Sequence, residues 1–203
     1  MGKVPSGRGR RTTDAHPTNE DHQRVAKYRR AIALLETPTA EHPGHPTLEI
    51  ERKFLVDADN IPANLAGYPH NHIRQGYIAA DGNSVVRLRQ KGETCYITVK
   101  SGHGLARNEN EGVIPRKTFD ALWPTTGNRR LEKVRYAIPG PHGLTFELDP
   151  YGGQLTGLTT VEVEFESVEA AKSFVPPRWF GRDVTDDSGF SNYRLAIDGL
   201  PPV

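Results

Sequence analysis

From Thr47 onward, charged residues recur at every second position on one segment after another. The stretch "LEIERKFLV", residues 48 to 56, sets Glu49, Glu51 and Lys53 against Leu48, Ile50, Arg52 and Phe54. Successive side chains on a strand point to opposite faces, so these three charges share one face. The pattern returns with Arg87 and Arg89 around Leu88, and with Thr98 and Lys100 around Val99. Arg107, Glu109 and Glu111 alternate with Ala106, Asn108 and Asn110. Lys133 and Arg135 flank Val134, Glu147 and Asp149 flank Leu148, and Glu162, Glu164 and Glu166 alternate with Val161, Val163 and Phe165.

This texture predicts strands over 47–57, 71–80, 84–91, 94–101, 107–114, 131–138, 142–150 and 158–166. Asp81-Gly82-Asn83, Lys91-Gly92-Glu93 and the run Pro139 to Gly143 carry the residues that tight turns select. Short helices are expected over 115–123, entered at Pro115, over 167–175, capped by Ser167 and stopped by Pro176-Pro177, and over 190–198. There is no βαβ alternation and no internal repeat. About eight antiparallel strands in roughly 155 residues imply a closed barrel or a sandwich.

On any one strand, a charged face is most simply a solvated face. Three features of the whole set point inward instead. The charges are sorted by sign: Glu49/Glu51, Glu109/Glu111 and Glu162/Glu164 are acidic pairs, while Arg87/Arg89 and Lys133/Arg135 are basic pairs. Like charges two apart repel, and a plain wet face would mix signs. Arginine dominates the first basic pair and suits bidentate contact with phosphate. The opposite faces carry Leu, Ile, Val and Phe, which can pack under the helices. A lumen lined with both signs cannot be buried empty unless its charges are paired, hydrated or ligand-bound. A polyanion chelated by a hard divalent cation, Mg²⁺ or Mn²⁺, satisfies both sets.

The remainder of the chain narrows the choice. Net charge is +1 over 203 residues, which argues against bulk nucleic-acid binding. No run approaches the ~18 apolar residues of a membrane span. The start, "MGKVPSGRGRRTTD", is basic without an apolar core, so no secretory signal is expected. Cys95 is the single cysteine, which fits a reducing cytoplasm and excludes a cysteine metal cluster. There is no GxxxxGK[ST] and no G-x-S-x-G. Residues 1–46 read as an N-terminal extension: a disordered basic segment, a helix over 19–36 and a Pro-rich linker, ahead of a domain over 47–203.

At "EIERKF" the sequence resembles the CYTH superfamily, the triphosphate tunnel metalloenzymes, whose signature ExExK is Glu49, Glu51 and Lys53. The resemblance continues in order through "RQGYI" (74–78), "VRLRQ" (86–90), "TVKSG" (98–102), "RNENE" (107–111), "LEKVRY" (131–136), "FELD" (146–149), "VEVEF" (161–165) and "WFGRDVT" (179–185). It covers Thr47 to about Ala196 and is to the short, single-domain bacterial members similar to inorganic triphosphatases, which lack the 46-residue extension.

The resemblance implies an all-β-dominated (α+β) fold, an eight-stranded antiparallel closed barrel with a few short flanking helices. It implies that Glu49, Glu51, Glu162 and Glu164, with Asp149, hold Mg²⁺ or Mn²⁺. Lys53, Arg87, Arg89, Lys100, Lys133 and Arg135 would hold phosphates, with Arg194 near the last helix as a further candidate. Glu109, Glu111 and Glu147 would be other tunnel acids, and Tyr77 a tunnel tyrosine contacting Lys53. Lys53, Glu162, Glu164 and Tyr77 form the catalytic set. The expected activity is hydrolysis of tripolyphosphate to pyrophosphate and phosphate by a cytoplasmic monomer or homodimer that binds neither nucleic acid nor membrane. Two alternatives stay open: a class IV adenylate cyclase or a thiamine or nucleoside triphosphatase of the same superfamily, and a non-catalytic polyphosphate-binding module.

Overall fold

The computed structural model describes residues 47–201 apart from Gly82 and His103; the extension read in residues 1–46 lies outside the described residues. Eight antiparallel strands close into a barrel: β1 (Thr47–Leu55), β2 (His70–Ala80), β3 (Ser84–Lys91), β4 (Thr94–Ser101), β5 (Ala106–Ile114), β6 (Arg130–Pro139), β7 (Thr145–Pro150) and β8 (Thr159–Glu164). Their order around the wall is β1-β5-β4-β3-β2-β6-β7-β8. Three short helices flank it: α1 (Arg116–Leu122), α2 (Val168–Ser173) and α3 (Asn192–Asp198). The closed barrel, rather than the sandwich, is therefore the architecture. No described helix is long and apolar enough to cross a membrane.

The strand expectations hold to within a few residues. The largest difference is at 142–144, expected to begin β7. His142 has φ 57° and lies in a 3₁₀ turn over Pro141–Gly143, so the strand starts only at Thr145. Ser167 caps α2 as expected, its hydroxyl accepting from the Ala170 amide at 3.1 Å.

The apolar face of the barrel is the outer one. Phe54, Phe146, Leu148, Val161 and Val163 form a core with Phe180, and Phe174 and Trp179 pack against it. On another side, Val86, Leu88, Cys95, Ile97 and Ile114 pack under Phe119 of α1. A third cluster breaks this rule. Tyr77 and Leu131, two positions along from lumen residues Gln75 and Lys133, meet Tyr151, Leu155 and, on α3, Leu195 and Ala196. The same strand parity that points charges inward thus turns apolar at one end, where α3 covers the lumen.

β1 carries the first signature, and its two edges are held differently. Residues 47–50 pair with β5, whereas Glu51 to Leu55 pair with β8. Past the point where β5 departs, the segment 181–185 takes its place along β1. Gly181 donates to the Leu55 carbonyl at 2.8 Å, Leu55 donates to Arg182 at 2.9 Å, and Val184 donates to Lys53 at 2.8 Å. A Cβ on Gly181 would lie 2.8 Å from that Leu55 oxygen, so the close approach requires glycine. Arg52, on the outer face, ties the segment down through Asp183 at 2.6 Å and the carbonyls of Ala171 and Phe174.

Candidate functional site

The cross-strand register assembles the alternating charges into one lumen. Glu51 stands opposite Glu164, Lys53 and Glu147 both stand opposite Glu162, and Glu49 stands opposite Arg107. Arg87 stands opposite Thr98, which stands opposite Glu111, and Lys100 stands opposite Glu109. Register across sheets, not spacing along the chain, decides which charges meet.

One sector is a closed ion-pair network. The Lys133 ammonium lies 2.5 Å from Asp149, and the Arg135 guanidinium reaches both Asp149 oxygens, Glu147 and Glu162. Lys53 holds the other Glu162 oxygen at 3.0 Å. Lys133 and Asp149 are essentially solvent-free, with side-chain exposures of 2% and 0%. Burial disfavours the Glu162 carboxylate, but Lys53, Lys133 and Arg135 outweigh it and hold its pKa well below the usual range. Burial likewise opposes the Lys53 charge, and Tyr151 and Glu162 reverse that, raising its pKa.

A second group joins β3, β4 and β5. Arg89 forks onto both Glu111 oxygens at 2.6 and 2.8 Å, and Thr98 donates to the same carboxylate at 2.6 Å. Arg87 lies 3.3 Å from Glu111 and 3.4 Å from Glu109. Lys100 bridges Glu49 at 2.6 Å and Glu109 at 2.9 Å. Despite burial, these cations lower the pKa of Glu109 and Glu111. The Nε–H groups of Arg87, Arg89 and Arg107 are buried with no hydrogen-bond partner among the described residues. Such donors are costly unless an acceptor arrives, and phosphate oxygens are suitable acceptors.

The third sector is acid-rich. Glu49, Glu51 and Glu164 offer carboxylate oxygens that all lie within 4.8 Å of one another. Glu164 sits at the exposed rim and forms no ion pair among the described residues. Desolvation, then repulsion from Glu147, Glu49 and Glu51, raises its pKa to about 7. Burial, then Glu162 and Glu49, also raises Glu51. Three converging hard oxygen donors under mutual repulsion fit a hard divalent cation.

The residues singled out from sequence distribute as follows. Glu49, Glu51 and Glu164 converge, whereas Glu162 and Asp149 are engaged by the basic network. Lys53, Arg87, Arg89, Lys100, Lys133 and Arg135 all reach lumen carboxylates, and Glu109, Glu111 and Glu147 are their partners. The Tyr77 hydroxyl accepts from the Gln75 amide at 2.9 Å rather than bonding Lys53, and its ring stands edge-on to Tyr193 of α3. Arg194 is elsewhere: its side chain is 54% exposed and pairs with Asp198 at 3.3 Å on the surface of α3. Arg107 was not singled out, yet its guanidinium binds Glu49 and Glu51 together. The signal was present in "RNENE", where Arg107 shares the parity of Glu109 and Glu111.

Residues 47–174 match the CYTH domain family. The chain is 47% identical over 150 residues to an inorganic triphosphatase of Nitrosomonas europaea, an alignment spanning 73% of this chain and 97% of that one. It is 35% identical over 149 residues to an inorganic triphosphatase of Acetivibrio thermocellus, spanning 72% and 92%. A crystal structure of an inorganic triphosphatase superposes with TM-score 0.57 at 42% identity, covering 79% of this chain and 100% of that one. A candidate adenylyl cyclase from Hippeastrum with a dominant triphosphatase activity superposes with TM-score 0.53 at 16% identity, covering 76% of this chain and 97% of that one; this likeness concerns the fold alone.

Proposed function

The chain belongs to the CYTH domain family, and on that premise we propose that it hydrolyses inorganic tripolyphosphate to pyrophosphate and phosphate with Mg²⁺ or Mn²⁺. The observation that carries this reading is the sorting of the lumen into an acid-rich sector and arginines whose buried Nε–H groups lack acceptors among the described residues. A linear polyanion with a divalent cation satisfies both. A pure phosphate binder has no use for the acidic trio.

Arg87 and Arg89, with Lys100, bind the phosphates and offset the charge that develops as the bond to the terminal phosphorus breaks. Lys53, fixed by Glu162, and Lys133 and Arg135, fixed by Asp149, present cations that need no reorganisation when substrate enters. Glu49, Glu51 and Glu164 would hold the divalent cation, which supplies Lewis-acid charge to the phosphoryl oxygens. Glu164 is our candidate base: it faces the mouth, where water has access, and among the described residues no lysine or arginine pairs with its carboxylate, so one oxygen can face the metal and the other the water. The proton of the attacking water passes to a Glu164 carboxylate oxygen. Glu162 is a poorer base because three cations stabilise its ionised form. Asp149 is a brace for the basic residues in this scheme. α3 covers one end of the lumen, so substrate enters from the other. We assign this tunnel domain to residues 47–203 and place it in a reducing cytoplasm, where Cys95 remains a thiol.

The test is a panel of tripolyphosphate, ATP and thiamine triphosphate with Mg²⁺ or Mn²⁺. Phosphate release from tripolyphosphate far above the other two is expected. Cyclic AMP and pyrophosphate from ATP indicate a cyclase, and tight binding without turnover indicates a binding module.

A further inference from the structure

We infer that Arg107 is a resident counter-ion of the acidic trio, displaced by the divalent cation and then free to take a phosphate, so that it couples metal loading to substrate capture. The inference rests on reading Glu49, Glu51 and Glu164 as the metal-binding acids.

Among the described residues, each of the other six cations placed at the site keeps a carboxylate outside that trio. Lys53 has Glu162, Arg87 has Glu109 and Glu111, Arg89 has Glu111, Lys100 has Glu109, Lys133 has Asp149, and Arg135 has Glu147, Asp149 and Glu162. Arg107 differs: among the described residues its ion pairs are to Glu49 and Glu51. A divalent cation competes with its guanidinium for those oxygens, since two cations on one carboxylate pair repel. Displacing the guanidinium therefore breaks every ion pair that Arg107 forms among the described residues.

The Nε–H of Arg107 is already buried without an acceptor among the described residues, as in Arg87 and Arg89. All three arginines therefore hold a donor ready for an anion, but Arg107 alone must also leave the metal acids. Its side chain is 22% exposed, more than that of Arg87 at 7% or Arg89 at 18%, which leaves it room to move. Without metal it neutralises Glu49 and Glu51 and offers little to an incoming phosphate. With metal bound, it adds a third guanidinium to the phosphate site. Metal and substrate then bind with positive coupling, each favouring the arrangement the other requires.

The test uses the full chain and Mn²⁺ alone, by isothermal titration, on wild type and Arg107→Gln. Loss of the competing cation should tighten Mn²⁺ binding by about tenfold, while tripolyphosphate KM at saturating Mn²⁺ rises by a similar factor. A purely structural arginine would leave Mn²⁺ affinity unchanged or weaken it, and either result overturns the inference. A second readout needs no variant. The Arg107 Nε–H resonance of the wild-type protein should shift on titration with Mg²⁺ alone; no change through metal saturation also overturns it. Failure here is separable from failure of the proposed function, because wild-type turnover is measured independently. A wild type that binds no divalent cation at all removes both the metal site and this role.

Discussion

Two sectors of one lumen are built on opposite electrostatic terms. Around Asp149 and Glu162, each acid is matched: Lys133 and Arg135 close on the first, Lys53 and Arg135 on the second. Around Glu49, Glu51 and Glu164, acids outnumber cations, and the rim carboxylate is pushed to about 7. Both are clusters of alternating charge on neighbouring strands. The difference teaches that the matched sector is rigid wall, whose pairs are expensive to break singly. The unmatched sector keeps an excess of negative charge, the arrangement that the proposed cation site requires.

Substitutions that exchange these two behaviours test the contrast. The largest expected effect is on turnover. Glu51→Gln should lower metal-dependent phosphate release by about 10²–10³-fold with little change in urea midpoint; activity near wild type would remove Glu51 from the proposed cation site. Asp149→Asn acts on the wall and should cost about 3–5 kcal/mol of stability, because Lys133 and Arg135 lose their buried partner. Urea unfolding reads this directly, and an unchanged midpoint would mean the network is not a closed one. Arg89→Ala should raise tripolyphosphate KM by roughly tenfold, with a smaller change in kcat, as steady-state kinetics can separate.

A subtler effect depends on pH. The folded chain holds a proton on Glu164 up to about pH 7, whereas the ordinary carboxyl value is 4.5. Between these values the folded state binds more protons, so metal-free stability falls as pH rises through the window. Glu164→Gln should remove its share of that slope, measured by urea unfolding in chelator at pH 5 and pH 8. An undiminished slope would place the excess charge elsewhere. Smallest of all, Arg194→Ala should change neither kinetics nor stability beyond about 0.5 kcal/mol, since its pair with Asp198 is solvent-exposed.

The strands were legible because the period of two returns on one run after another between Leu48 and Glu164, with turn residues separating the runs. The start of β7 was not, because the expected strand from 142 overlaps the turn residues Pro139 to Gly143, and the positive φ at His142 gives that overlap to the turn. The inward direction of the charged face was legible from its sign-sorting, since the apolar parity alone fits a wet sheet equally well. Which acids remain unmatched was not. Glu162 and Glu164 are two apart on one strand, yet Glu162 faces Lys53 while Glu164 faces Glu51. That distinction is a property of register and is absent from spacing. For Arg107, parity with Glu109 and Glu111 marked the face, but its partners on β1 are set by register and are not marked by the acids beside it in sequence. Arg194 was assigned by motif position, and its exposed side chain on α3 takes no part in the lumen network.

The most direct measurement is a ³¹P NMR time course of tripolyphosphate with the full chain, with Mg²⁺ or Mn²⁺, and with excess chelator. The account predicts that pyrophosphate and orthophosphate appear in equal amounts as tripolyphosphate disappears, and that chelator stops both. Tripolyphosphate left intact under saturating metal, or consumed equally well in chelator, would contradict it.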